Sequence, residues 1–213
     1  VSFANCGLPY YVSGEIANRD SLLVQTPESL KERFNLDVRP FHEVISISPA
    51  DHTVTVRHDG QEFTESYDKL ILSPGAKPFF PAIDGLAEAK NAYTLRNVPD
   101  LDEIMAALDK HPKEAVVIGA GFIGLEMAEN LAKRGLHVTI VEKAPHVLPP
   151  LDQEMAAFVQ AELVKNSVRV ITSQSATRFE EQGKIIVLEN GQTITSDLTI
   201  LSVGVEPENG LAK

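Results

Sequence analysis

The feature that most constrains the fold of this chain is a three-glycine turn between an apolar segment and a helical pattern. Gly119, Gly121 and Gly124 follow the strand-like residues 115–118 and open a predicted helix over 123–134. In such a turn the first glycine permits a tight bend, the second lets the backbone approach a pyrophosphate, and the third lets helix and strand pack closely. The helix N-terminus then offers free N–H groups to the phosphates. The pattern therefore predicts a dinucleotide-binding site.

An acidic residue supports this prediction. Glu142 ends the next predicted strand and follows Gly121 by about the 20 positions typical of the carboxylate that binds the ribose 2′-OH. A carboxylate at this point repels a 2′-phosphate, so we expect NADH to be preferred over NADPH. Lys143, the next residue, leaves binding of NADPH open as the alternative, because a rotated lysine could accept the 2′-phosphate.

Around the turn, apolar segments alternate with amphipathic ones, which predicts parallel strands with crossover helices. The fold class is therefore α/β, with a Rossmann-like parallel sheet. Further strands are predicted at 138–141, 168–171 and 198–203, a helix at 152–165, and a strand-turn-strand unit around Asn190-Gly191.

The N-terminal half has a different pattern. A helix from Thr26 to about Phe34 precedes short β-branched segments, and Asp59-Gly60 is a hairpin signal, so we predict an antiparallel β meander. The apolar run 70–72 predicts a buried strand. Residues 77–99 are interpreted as a connection between domains, followed by a short amphipathic helix with Leu101, Ile104, Met105 and Leu108 on its apolar face.

Charge and cysteine content exclude several classes of protein. The net charge is −11, with 30 acidic and 19 basic side chains, which disfavours nonspecific binding to nucleic acid. No apolar run reaches the roughly 20 residues needed to span a bilayer, and the histidines show no metal-ligand spacing, so we predict no membrane span and no metal site. Cys6 is the single cysteine, which excludes an internal disulfide and agrees with a cytosolic protein.

Four segments carry a resemblance to a known family. They are SFANCGLPY at 2–10, YDKLILSPGA at 67–76, TLR at 94–96 and GVEP at 204–207. In this order they resemble the single-cysteine branch of the pyridine nucleotide-disulfide oxidoreductases, and within it the coenzyme A disulfide reductases, polysulfide reductases and NADH oxidases.

The resemblance implies FAD as well as NAD(P)H, and a full enzyme that is longer at both ends and homodimeric. It predicts a partial FAD-binding domain with the cysteine at 1–110 and an NAD(P)-binding domain at 111–213. The implied cofactor contacts are Val44, Ser73, Pro74, Gly75, Ala76, Arg96, Gly119, Ala120, Gly121, Phe122, Ile123, Gly124, Glu126, Glu142, Lys143 and Gly204. Glu126 matches a family position near the nicotinamide, but it could equally be a solvent-facing helix carboxylate.

By the same resemblance, Cys6 is the catalytic residue, and Ser2 and Asn5 contact the coenzyme A portion of the substrate, with a role as a simple cap as the alternative for either residue. If Asn5 caps a helix beginning at Cys6, the positive helix end favours the thiolate. The paired-cysteine branch has a second cysteine where this chain has Tyr11. Cys6 must therefore form a disulfide with a substrate thiol or cycle through sulfenic acid.

The predicted function is electron transfer from NAD(P)H through FAD to a small-molecule disulfide, most closely coenzyme A disulfide or a polysulfide. Two alternatives stay open. One is an NADH oxidase or peroxidase that works through a cysteine sulfenic acid. The other is that these 213 residues alone form a nucleotide-binding module without turnover.

Overall fold

The computed structural model describes residues 2–213; residue 1, where the predicted flavin domain begins, lies outside them. No helix in residues 2–213 is long and apolar enough to cross a membrane. In chain order the elements are β1 (Ser2–Phe3), α1 (Leu8–Ser13), β2 (Leu23–Gln25), α2 (Pro27–Phe34), β3 (Glu43–Ser48), β4 (Thr53–His58), β5 (Gln61–Ser66), β6 (Ala76–Pro78), β7 (Ala92–Tyr93), α3 (Val98–Leu108), β8 (Glu114–Ile118), α4 (Phe122–Lys133), β9 (His137–Val141), α5 (Gln153–Lys165), β10 (Arg169–Ile171), β11 (Ala176–Glu180), β12 (Ile185–Leu188), β13 (Thr193–Thr195), β14 (Leu198–Leu201) and β15 (Val205–Pro207).

The chain forms two compact units. Among the described residues, the first comprises 2–3, 23–77 and 205–213, and the second comprises 4–22 and 78–204. This division groups the cysteine segment with the glycine turn, so it differs from the predicted boundary at 110/111. The predicted boundary divides the chain by the cofactor that each part binds, whereas the two units are divided by the packing of the backbone. We keep the boundary as a proposal about which residues bind each cofactor.

A five-stranded parallel sheet organises the second unit, in the order β10-β9-β8-β14-β7. This confirms the predicted α/β class. In the register of β8 and β9, Ile118 pairs with Val141. Because parallel strands end at the same edge of a sheet, the glycine turn after Ile118 and Glu142 after Val141 are brought side by side.

The core of this unit joins the parallel sheet to the antiparallel strands β11, β12 and β13. The predicted strand-turn-strand unit around Asn190-Gly191 is confirmed as the β12–β13 hairpin. Residues 77–99 do more than connect, because Leu86 is only 1% exposed and belongs to this core.

The first unit contains the predicted antiparallel meander, β3-β4-β5, with Asp59 and Gly60 both in the left-handed region at its second turn. The predicted helix is confirmed as α2. Its first turn is capped by Thr26, whose side chain accepts a hydrogen bond from the Ser29 N–H while the Ser29 hydroxyl bonds back to Thr26.

The predicted buried strand at 70–72 is wrong. These residues adopt no regular structure, and Ile71 is 88% exposed. An apolar run becomes a strand only where a neighbouring strand offers backbone partners. Within residues 2–213 no strand pairs with this run.

Asp197 fastens the beginning of β14 to the beginning of β8, and we predict that it stabilises the second unit. Its carboxylate accepts hydrogen bonds from the backbone N–H groups of Lys113 at 2.9 Å and Glu114 at 3.0 Å. The bond from Glu114, then that from Lys113, lowers the pKa of Asp197. Because the side chain is exposed, we expect Asp197→Ala to reduce the free energy of unfolding at pH 7 by only about 1 kcal/mol.

The pH dependence of this effect follows from the lowered pKa. The stabilisation is present above the unfolded-state pKa, about 3.9, and is lost as the pH falls through the lower folded-state pKa. Urea denaturation should therefore give a smaller difference in the free energy of unfolding between the wild type and Asp197→Ala in acid than at pH 7. Asp109→Ala, at the exposed end of α3, is the matched control. An equal loss at both pH values would contradict this assignment.

Candidate functional site

The glycine turn has the geometry of a pyrophosphate cradle. Gly119 has φ +101°, and a side chain there would meet the Ser202 carbonyl oxygen at 2.5 Å. A Cβ on Gly124 would collide with the Gly119 carbonyl, so the close approach of α4 to the turn requires glycine here. At Gly121, by contrast, nothing lies within 4 Å of the position a Cβ would take. This open space adjoins the first N–H groups of α4, where a diphosphate fits.

The residue between the first two glycines is held on both sides. Ala120 is fully buried. Its N–H donates to Glu142 Oε2 at 2.6 Å, and its carbonyl accepts from the Leu148 N–H at 2.9 Å. Leu148 adopts a left-handed backbone conformation, φ +47°, which is uncommon for a residue other than glycine. The loop after β9 therefore holds the turn through both backbone groups of one residue.

The structure places Glu142 at the predicted position, directly after β9 and next to the glycine turn. The residue is 9% exposed. Its second oxygen, Oε1, accepts from the Ala144 N–H at 2.7 Å, and its own N–H donates to the Ile171 carbonyl at 2.8 Å. A buried carboxylate with one N–H on each oxygen retains lone pairs for ribose hydroxyls. The acid and the turn together fit the adenosine diphosphate half of NADH.

The remaining nucleotide candidates are more exposed. Phe122 and Ile123, the first residues of α4, and Lys143 all face solvent. Glu126 is half-buried, beside a cavity of about 540 Å³ between α4 and α5. Burial, and then the charge of Glu129, raises the pKa of Glu126. Its environment therefore departs from that of a fully solvated helix carboxylate.

The cysteine segment departs from the prediction in one respect. Asn5 does not cap an α-helix; it begins a 3₁₀ turn, Asn5–Gly7, which leads into α1, and the N-cap position of α1 is Gly7. Instead, the Asn5 Oδ1 accepts from Arg96 at 3.4 Å. The proposed activation of Cys6 by an Asn5-capped helix is therefore wrong. Cys6 itself is exposed and free.

Packing fixes the helix that follows the cysteine. Leu8 and Val12 are buried, and α1 packs against α3 and α4. A Cβ on Gly7 would lie 3.0 Å from the Leu22 side chain, so the turn packs tightly against Leu22. At the other end, Arg134 donates to the Val12 carbonyl at 2.8 Å, which satisfies a helix-terminal acceptor with a cation.

A second arginine secures the segment beyond α1. Arg19 forms two hydrogen bonds with the Asp102 carboxylate, at 2.7 and 2.8 Å, and this pairing lowers the pKa of Asp102. The sequence analysis identified neither Arg19 nor Arg134. The partners lie 83 and 122 positions apart, so no local pattern indicates these contacts.

The flavin and substrate candidates are divided between the units. Ser2, in β1, is exposed, and Val44, in β3, is half-buried; both lie in the first unit. The segment 73–76 of that unit is mostly exposed, and the Gly75 carbonyl accepts from the Glu208 N–H at 2.9 Å. Gly204 belongs to the second unit, with φ +111°, and its carbonyl accepts from Phe79 at 2.9 Å.

Metal-binding side chains do not cluster in the part of the chain that the structure describes: no group of three His, Cys, Asp or Glu in residues 2–213 could hold an ion.

Comparison with known proteins gives one family. Residues 2–213 match the family described as pyridine nucleotide-disulphide oxidoreductase. A coenzyme A disulfide reductase of Staphylococcus haemolyticus is 37% identical over 212 residues, which are 98% of this chain and 47% of the relative. An NADH oxidase of Methanocaldococcus jannaschii is 36% identical over 217 residues, covering 100% of this chain and 48% of the relative.

Solved structures agree. The reduced CoADR-RHD protein of Bacillus anthracis superposes with a TM-score of 0.98 at 49% identity, over 100% of this chain and 39% of that one. An NAD-dependent persulfide reductase from A. fulgidus gives 0.94 at 35% identity, over 100% of this chain and 40% of that one. The chain thus spans about half the length of the curated relatives it matches.

Proposed function

Since the chain belongs to the pyridine nucleotide-disulphide oxidoreductase family, we propose that it supplies the nicotinamide-binding and cysteine-bearing part of an NADH-dependent flavoprotein that reduces a small disulfide. One observation carries the proposal. A single compact unit holds an open diphosphate cradle at Gly121 and an exposed thiol at Cys6. Relatives named coenzyme A disulfide reductase and persulfide reductase support a substrate of that class, coenzyme A disulfide or a polysulfide.

In this proposal the nucleotide binds through backbone and carboxylate groups. The N–H groups at the start of α4 take the pyrophosphate, and Glu142 accepts the adenosine ribose hydroxyls. Both Glu142 oxygens are already bonded to backbone N–H groups, so the carboxylate cannot swing aside for a 2′-phosphate. NADH is therefore preferred even though Lys143 stands next in the chain.

Cys6 supplies the thiol chemistry. Its thiolate attacks one sulfur of the substrate disulfide, so that a mixed disulfide forms at Cys6 and the first substrate thiolate leaves. Two electrons from NADH and a proton then release the second thiol and restore the Cys6 thiolate. FAD, when bound, supplies the two-electron connection between nicotinamide and disulfide. The proposed flavin contacts of this chain are Val44, Ser73–Ala76, Arg96 and Gly204, and Ser2 and Asn5 are the proposed substrate contacts.

A second function, an NADH oxidase or peroxidase, is favoured by the relative that bears the oxidase name. It uses the same Cys6 as a sulfenic acid, which the lack of another cysteine in the chain permits. The homodimer and the cytosolic location implied by the resemblance stay predictions.

The test compares electron acceptors and donors in the whole flavin-loaded polypeptide. We expect NADH consumption to depend on coenzyme A disulfide or polysulfide, and NADH to support turnover at least about tenfold better than NADPH, a difference of roughly 1.4 kcal/mol. Turnover is followed by loss of reduced nicotinamide absorbance and by release of free thiol.

Lys143→Ala is the control for nucleotide choice. It should leave the rate with NADH unchanged and weaken NADPH further, because the lysine is exposed and its positive charge would favour a 2′-phosphate. Turnover with oxygen or peroxide and none with a disulfide would reject the reductase in favour of the oxidase.

A further inference from the structure

Glu142 contacts the glycine turn directly. Its carboxylate spans two loops: Oε2 accepts from Ala120 N–H at 2.6 Å, within the turn, and Oε1 accepts from Ala144 N–H at 2.7 Å, beyond β9. We name these two hydrogen bonds the Glu142 bridge. Both distances lie at the short end of the range for an N–H that donates to a carboxylate oxygen.

The bridge gives a hydrogen-bond acceptor to the backbone N–H of Ala120, which would destabilise the fold if it were buried without a partner. Ala120 is fully buried, and a buried N–H without a partner is strongly disfavoured. The other backbone group of Ala120 is bonded to Leu148, and Gly119 is anchored separately, its N–H donating to the Val141 carbonyl at 2.8 Å. Among the described residues, the Glu142 carboxylate is the side-chain acceptor that the Ala120 N–H meets.

We propose that Glu142 is a positioning residue for the pyrophosphate site as well as a ribose contact. The bridge holds Ala120, and through it the backbone at Gly121, in the conformation that receives the diphosphate. This inference rests on the proposed function, because it assumes that a dinucleotide binds here. It makes a distinct claim: the affinity for a diphosphate depends on Glu142 even when the ligand has no ribose hydroxyl for Glu142 to hold.

Two ligands separate the roles. ADP and 2′,3′-dideoxy-ADP share the adenine and the diphosphate and differ in the ribose hydroxyls. If Glu142 served the ribose alone, Glu142→Ala would weaken ADP and leave dideoxy-ADP unchanged, or tighten it by removing a negative charge near the phosphates. Positioning of the turn predicts that Glu142→Ala weakens dideoxy-ADP as well, by about fivefold or more, and ADP by about tenfold or more.

The exchange rate of the Ala120 amide hydrogen tests the Glu142 bridge without any ligand. In Glu142→Ala we expect the Ala120 amide to exchange at least about tenfold faster than in the wild type, while the Gly119 amide keeps its rate. A purely structural loss would speed both amides together. Glu142→Gln, which keeps the side-chain length and one acceptor oxygen, should give intermediate exchange and intermediate dideoxy-ADP affinity. Glu154→Ala removes an exposed carboxylate from α5 and should change neither quantity.

The outcomes distinguish this inference from the proposed function. Unchanged or tighter binding of dideoxy-ADP by Glu142→Ala, with weakened ADP, would overturn the positioning role and keep the ribose contact. If neither ligand binds the wild type, the nucleotide site itself fails, and amide exchange alone decides the bridge. An Ala120 amide that exchanges no faster in Glu142→Ala than in the wild type would then refute it.

Discussion

Replacing Cys6 with serine should lower disulfide reduction by the whole flavin-loaded protein at least about a thousandfold, the scale of losing a catalytic nucleophile. The hydroxyl of serine cannot form a disulfide with the substrate, and no second cysteine in this chain can take over. Because Cys6 is exposed, the free energy of unfolding should change by no more than about 0.5 kcal/mol.

The measurement combines turnover with a partial reaction. Bleaching of the flavin by NADH, followed without an acceptor, should persist in Cys6→Ser and so serves as the internal control for folding and nucleotide binding. Thiol labelling offers a further check, since Cys6 is the only thiol of these 213 residues. Disulfide turnover within about tenfold of the wild type would remove Cys6 from the mechanism, and the proposed substrate class with it.

Two glycines of the same turn should respond in opposite ways to one added methyl group. Gly119→Ala should cost about 3 kcal/mol of stability or more, because φ +101° suits glycine alone and the new Cβ would meet the Ser202 carbonyl. Gly121→Ala should leave stability within about 0.5 kcal/mol of the wild type. Its backbone, φ −76° and ψ −175°, is accessible to alanine, and the added Cβ points into open space.

The same Gly121→Ala change should reduce NADH affinity at least about tenfold, since its methyl group occupies the space assigned to the pyrophosphate. Urea denaturation gives the stabilities and titration with NADH the affinities, so each variant is the control for the other. Wild-type NADH affinity in Gly121→Ala would show that the diphosphate lies elsewhere. A fully stable Gly119→Ala would contradict the described backbone of the turn.

The parts of this molecule that the sequence predicted well are those in which local chemistry determines local structure. The glycine turn, the helix that follows it and Glu142 are set by strand register and backbone sterics within a span of about 25 residues. The same holds for α2, where Thr26 and Ser29 form a reciprocal cap, and for the meander with its Asp59-Gly60 turn. Each of these patterns is set mainly by residues that are close in sequence.

The errors have the opposite character. Residues 70–72 have the composition of a buried strand, but strand formation depends on a neighbour that residues 2–213 do not provide. Asn5 had a cap-like sequence context, but its side chain bonds to Arg96, 91 positions away. Local composition indicates which structures a segment can adopt, whereas tertiary contacts determine which of them it adopts.

Helix α4 joins two parts of the second unit that are far apart in sequence. It begins at the glycine turn and ends beside Arg134, which holds the carbonyl end of α1, and over 12 residues it extends roughly 18 Å. A chimera that moved residues 4–22 into another scaffold would therefore also need the partner surfaces of α3 and α4. We therefore expect the cysteine segment and the nucleotide-binding fold to be transferred together, both in protein engineering and in natural recombination.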